Sequence, residues 1–237
     1  MIKNGVQYMA KALFLVLTMV CFSACSEDED MPSVTPVASG VMQDKDGNEY
    51  KWVRIGNLDW MAENLHCGTP YYEQDPEDPK WDDYSELSLP ADIPTCRQMY
   101  KSFGNYYSFQ EALDNVPEGW RLPTDDDWKN LEKTLGIKTR DLDKEGWRKG
   151  ASYLMTQDNE GTMLNMRFGG CICYFGYGVS LYHYYDFGYY WSSTSTLVNN
   201  EPAAYARQIT PGTNAVNRLQ ILQEHRFMSV RYVRDAQ

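Results

Sequence analysis

The sequence predicts an α+β domain, and three stretches carry that prediction. Asp46-Gly47 is a tight-turn dipeptide leading into 49–55, where Tyr50, Trp52, Val53 and Ile55 favour extended backbone. Thr124 and Asp127 form a capping box, after which Trp128, Leu131 and Leu135 recur at helical spacing. Further on, 203–209 (AAYARQI) and 227–234 (FMSVRYVR) alternate or nearly alternate apolar and polar residues, as half-buried strands do.

The first element is an export signal. Lys3 and Lys11 give a positive start to a short apolar run, 12–21 (ALFLVLTMVC), with no acidic residue before it. Such a run suits a signal-peptide core and falls short of the roughly 20 residues that a spanning helix needs. Phe22-Ser23-Ala24-Cys25 resembles the lipobox cut by the lipoprotein signal peptidase. Residues 1–24 are therefore expected to be removed, leaving Cys25 as the acylated first residue. Several acyl chains, each methylene contributing roughly 0.8 kcal/mol, would hold the chain on a membrane. Ser26-Glu27-Asp28-Glu29-Asp30 cannot bury its like charges, and with 31–40 it makes residues 25–40 an acidic tether. The block is similar to the acidic tag behind the lipid cysteine of surface-exposed Bacteroidetes lipoproteins. That similarity implies an outer-membrane lipoprotein displayed at the cell surface.

Residues 41–237 are long enough for one domain with a substantial core. A strand near 40–43 pairs through Asp46-Gly47 with 49–55, and Gly56-Asn57 returns the chain through 58–61 as a β-meander. Asp44 to Asn48 does not make a calcium loop, because its glycine comes too early for an EF-hand and the closing Glu is missing. Residues 67–95 are broken by proline and charge and read as an irregular excursion. Residues 103–113 (FGNYYSFQEAL) read as a strand running into a short helix. In the capped helix, Asp125, Asp126 and Asp127 sit where the helix dipole favours negative charge, which accounts for them without a metal. The C-terminal strand is expected to close the sheet against the early hairpins.

Charge narrows the function. Lys and Arg number 22 against 33 Asp and Glu; without Lys3 and Lys11 the mature balance becomes −13. A chain this acidic, with no basic stripe, argues against nucleic acid and against direct adhesion to anionic lipid. Cys67, Cys96, Cys171 and Cys173 allow three full connectivities. Cys67 and Cys96 flank the irregular excursion and are the first pair to consider. Cys171-Ile172-Cys173 places two thiols on one face of a strand, a spacing rarely bridged within itself. With no CxxC and no neighbouring histidine, a zinc site is not expected.

Five segments together resemble one family, the Fibrobacter succinogenes major paralogous domain: 46–65 (DGNEYKWVRIGNLDWMAENL), 103–113, 117–131 (PEGWRLPTDDDWKNL), 188–195 (GYYWSSTS) and 229–235 (SVRYVRD). They occur in the family's order and span nearly the whole mature domain. The resemblance implies an exported protein or lipoprotein. The GWRLPT and late VR segments also look like those of formylglycine-generating and C-type-lectin-like folds. This implies a compact α+β domain with a small twisted antiparallel sheet, one or two short helices and long irregular loops. Members often carry cysteines where this chain has Val116 and Tyr232, so apolar packing is expected to replace one family disulfide.

The family resemblance brings no common activity with it. Tyr182, Tyr184, Tyr185, Tyr189, Tyr190 and Trp191 lie close together and offer rigid amphipathic rings of the kind on which sugars stack. They point to a recognition module for a glycan or a cell-envelope or host protein. The competing reading is that half of them alternate into the core. A structural subunit of an envelope assembly would use an exposed aromatic patch equally well. Catalysis is not expected. His66, His183 and His225 stand in no metal or nucleophile motif, 178–182 lacks the second glycine of a nucleophile elbow, and Gly176 and Gly178 make no phosphate loop. Carboxylates such as Asp82, Asp83 and Asp186 are common in any acidic chain. Asn200-Glu201-Pro202 only scrambles the calcium motif of sugar-binding lectins. No cofactor and no metal are expected.

Overall fold

The computed structural model describes residues 32–74, 87–88, 92–157, 161–174 and 179–237. The export signal, Cys25, the acidic run after it, and Asp82 and Asp83 lie outside the described residues.

β1 (Ser39–Gln43), β2 (Glu49–Ile55) and β3 (Leu58–Met61) form the opening meander. After it come β4 (Leu87–Ser88) and helices α1 (Ile93–Phe103), α2 (Phe109–Asp114) and α3 (Asp125–Thr134). β5 (Gly146–Lys149) and the single turn α4 (Ser152–Met155) follow. β6 (Cys171–Tyr174), β7 (Val179–Tyr182), β8 (Gly188–Val198), β9 (Glu201–Ile209) and β10 (Ala215–Leu222) supply most of the remaining strand. β11 (Arg226–Phe227) and β12 (Val233–Asp235) complete the order.

The α+β class holds, with more elements than expected. Among the described residues there are three four-stranded sheets, ordered β1-β2-β3-β12, β5-β10-β9-β8 and β11-β6-β7-β4. The sequence suggested a single sheet and one or two helices. No helix among the described residues is long and apolar enough to cross a membrane.

The opening hairpin folds on local chemistry. Gly47 takes φ +83°, and the Asp44 carboxylate accepts the backbone N–H of Asp46 at 2.9 Å and of Asn48 at 3.0 Å. It also accepts Asn48 Nδ2 at 2.9 Å and the Tyr50 hydroxyl at 2.6 Å. Residues 37–40, read as tether, are part of this sheet: Val37 N–H donates to Arg54 O, and Ser39 pairs with Val53. Pro94 and the Asp92 cap start α1 inside the stretch read as irregular, and Phe103, expected in a strand, is its last residue.

The α3 cap is as the sequence predicts. Thr124 Oγ1 accepts Asp127 N–H at 3.1 Å, and the Asp127 carboxylate accepts Thr124 N–H at 2.7 Å. A bulge in β8 between Trp191 and Ser195 turns these residues toward the same helix end. There Ser193 N–H donates to Pro123 O at 2.8 Å and Asp125 N–H to Thr194 Oγ1 at 2.9 Å. Asn199 and Asn200, both at positive φ, form the two-residue turn of the β8–β9 hairpin, which explains the residues before Glu201-Pro202.

The stretch 227–234 is not one strand. β12 does close the first sheet against β3, as expected. β11, however, pairs with β6, Met228 bridges to Tyr107, and Ser229 bridges to Tyr190 in β8. This segment therefore touches all three sheets in turn, and a regular strand could not change partners so often.

Candidate functional site

Where β3 leaves its sheet, residues 63–66 run beside the last turn of α1 and beside residues 165–167. Arg231 closes the floor, and these segments line a cleft of about 610 Å3. Gly104 makes the packing possible: it ends α1 at φ +78°, and a Cβ there would lie 2.7 Å from Leu65 O. Asn64 spans the junction, donating Nδ2 to Phe103 O at 2.7 Å.

Arg231 is only 1% exposed. Its Nε donates to Asn64 Oδ1 at 2.6 Å, Nη1 to Met61 O at 2.9 Å and Leu164 O at 2.8 Å, and Nη2 to Asn165 O at 2.6 Å. All four acceptors are neutral, and among the described residues no carboxylate forms an ion pair with it. Burial pulls its pKa down to about 10, against the opposing pull of Tyr190 and Glu63, so it stays protonated at neutral pH. Asn165 holds a left-handed backbone at φ +52°, and its buried Oδ1 has no hydrogen-bond partner among the described residues.

The walls carry ionisable and aromatic groups. Lys101 is exposed in the last turn of α1, where it offsets the negative carbonyl end of the helix. Arg167 and Glu63 are half-buried. The His66 ring lies 4.6 Å from the Tyr50 ring and 6.2 Å from Tyr100, whose hydroxyl donates to His66 O at 2.8 Å.

The six aromatic residues proposed from sequence divide into core and rim. Tyr189, Tyr190 and Trp191 are 7%, 0% and 1% exposed, which corrects the expectation that they form a binding face. β8 is covered on both faces: Tyr189 and Trp191 enter one apolar cluster with Met61 and Tyr232, while Tyr190 enters another with Trp60 and Trp128. Their polar tips are satisfied inside. Trp191 Nε1 donates to Tyr107 O at 2.8 Å, the Tyr190 hydroxyl donates to Arg167 O at 2.8 Å, and Tyr189 Oη accepts Gln208 Nε2 at 2.8 Å. Tyr182 and Tyr184 are half-buried. Tyr185 alone is largely in solvent, 61% exposed, with its ring 5.3 Å from Phe103 in the cleft wall.

The expected Cys67–Cys96 pair is not formed. Both are buried thiols in no disulfide, and they belong to different apolar clusters. Cys67 donates to Asp46 Oδ2 at 3.1 Å; burial and that carboxylate push its pKa up to about 12. Cys171 and Cys173 are also free, with sulfurs 3.8 Å apart. Asp44, Asp46 and Cys67 gather their ligand atoms within 4.8 Å of one another, but both carboxylates already serve the hairpin and the Cys67–Gly68 backbone. Val116 and Tyr232 pack on one cluster, as the substitution of two family cysteines suggests, and the Tyr232 hydroxyl donates to Ala112 O at 2.8 Å.

Sequence reasoning did not single out Arg231, Arg167, Lys101 or Glu63. The signal within reach was an arginine in an otherwise apolar terminal run, a charge that must find internal acceptors if the run is buried. Comparison with known proteins gives one family: the model of the Fibrobacter succinogenes major domain matches residues 53–234, well over half of the chain. No curated protein and no solved structure matches it.

Proposed function

Because the chain belongs to the Fibrobacter succinogenes major domain family, whose name carries no activity, we propose a function from the site: a non-catalytic recognition module that holds a glycan in the cleft beside α1. The observation that supports it is the cleft itself. Its volume of about 610 Å3 falls within the range of small-ligand sites; half-buried Tyr100 lines it, and exposed Tyr185 stands against Phe103 of its wall. The domain is read as C-type-lectin-like on its GWRLPT and VR segments. It is held on the outer membrane through Cys25 and displayed at the surface by the acidic tether.

The test is a glycan-array screen of the full-length chain in detergent, beside Tyr185→Ala. That ring is exposed, so its loss should leave the melting temperature within a degree or two while weakening binding. A blank array on folded protein would refute the glycan reading and favour a protein partner. Labelled palmitate should enter the wild-type chain and not Cys25→Ala; equal labelling of the two would refute the anchor.

A further inference from the structure

We propose that the cleft recognises an acidic saccharide, its carboxylate or sulfate lying over the Lys101–Arg167–Arg231 side of the site and its sugar ring against Tyr100 or Tyr185. This deepens the recognition reading and rests on it.

The argument begins with charge. The chain carries a net −11, yet the described lining of this cleft has three cations, Lys101, Arg167 and Arg231, and one carboxylate, Glu63. A neighbouring cleft of about 550 Å3 shows the chain's ordinary character, with Glu73, Glu111 and Asp114 among its described lining residues and no Lys or Arg among them. The basic cleft is thus a local reversal of sign, and low-dielectric walls focus such a field on an entering anion.

The second observation is how Arg231 is held. A buried guanidinium is ordinarily matched by a carboxylate, because desolvating an unpaired charge is costly. Here its described hydrogen bonds go to three backbone carbonyls and the Asn64 amide oxygen, all neutral. The dipoles fix the group in place, and among the described residues its charge has no ion-pairing carboxylate, only the more distant pull of Glu63 in the cleft wall. An anion in the cleft would supply the missing counter-charge without displacing any of the four bonds.

The third is what surrounds the charge. An inorganic anion would make no use of rings. Tyr100 and Phe103 line this cleft and Tyr185 stands against Phe103, giving apolar faces beside the cations. A saccharide bearing an anionic group uses both halves at once.

The experiment is calorimetric titration of the full-length chain in detergent with three matched trisaccharides: a galacturonate, a sulfated galactose and a neutral galactose. The acidic ligands should bind, with the neutral one at least about tenfold weaker, and added salt should weaken the acidic ligands alone. Lys101→Glu should lower acidic affinity by about tenfold or more; Lys149→Glu, an equal charge change at an exposed position outside the cleft lining, should not. Preference between carboxylate and sulfate identifies the anion. Equal binding of neutral and acidic ligands, insensitive to Lys101→Glu, would overturn the inference and leave the recognition reading standing. Binding of none of the three, on folded protein, would overturn both.

Discussion

Glu132→Gln is the change that most directly tests how the core is assembled. Glu132 is 0% exposed on α3, and its carboxylate takes Arg148 Nη1 at 2.7 Å and Nη2 at 2.9 Å while also accepting Arg207 Nε. Arg207 and Arg218 in turn contact Asp125, at 2.9 Å and 2.8 Å. Two buried carboxylates therefore serve three buried arginines. Glutamine keeps the volume, but it removes one of the two negative charges and turns an amide N–H2 toward an arginine donor. Breaking a buried pair from one side costs about 3–5 kcal/mol, because the partner charge stays buried. With a urea slope of about 2–3 kcal/mol/M, the unfolding midpoint should fall by roughly 1–2.5 M. The assay is urea unfolding followed by tryptophan fluorescence, with Glu132→Gln/Arg148→Met as the companion. The double variant should lose less than the sum of the singles, since removing both partners relieves the unpaired charge. A loss below about 1 kcal/mol in Glu132→Gln, the range of an exposed pair, would refute the view that this carboxylate anchors the arginines.

Acid sensitivity follows from the same network. Burial opposes the Asp125 charge, but Arg218 and Arg207 outweigh it and hold the carboxyl at about 2 against an ordinary 3.8. The unfolded chain thus binds this proton first as pH falls, so the Asp125 contribution is complete above about pH 4 and is lost toward pH 2; urea midpoints across that window should decline less steeply in Asp125→Asn. The thiols give an independent check. Cys67, Cys96, Cys171 and Cys173 are all buried and in no disulfide; burial and the Asp46 carboxylate raise Cys67, and the hydrogen bond to Cys173 together with burial raises Cys171. On residues 31–237, a disulfide reagent should label them only as the domain unfolds, and rapid labelling of any one in native buffer would contradict its placement.

The parts of this fold that were legible in the sequence are those written within a few residues. Asp44, Gly47 and Asn48 close their hairpin through neighbours at most four residues away, and Thr124 meets Asp127 three residues on. What was not legible depends on distant partners. The aspartates of the α3 cap were explained by the capping box and the helix dipole, whereas Asp125 is also gripped by Arg218, 93 residues farther along. Nothing in either segment announces the other. The aromatic run failed for a related reason. Alternation in 188–191 shows that successive rings point to opposite faces, but not whether the second face is covered. Here residues of the opening sheet pack on both faces, joined by α3 on one and by α2 and Tyr232 on the other, so rings chosen as a binding surface became core.

The division between motif and cleft has a physical logic. The segments that carry the family resemblance do structural work: Trp128 packs on Trp60 at 5.0 Å, Arg121 binds the Asp127 of the α3 cap, and Tyr232 and Val233 join the C-terminal segment to two clusters. Arg231 belongs to that scaffold too, since its guanidinium ties together Met61, Asn64, Leu164 and Asn165. The groups that give the cleft its chemical character stand between those segments: His66, Tyr100, Lys101, Arg167 and Tyr185. A floor charge fixed by four internal hydrogen bonds cannot be moved without disturbing the core, whereas an exposed lysine or tyrosine on the rim can change at little cost to stability. Specificity is therefore expected to reside in the rim and the positive floor to be a property of the fold itself. That is also why the most recognisable residues of this sequence say little about its ligand.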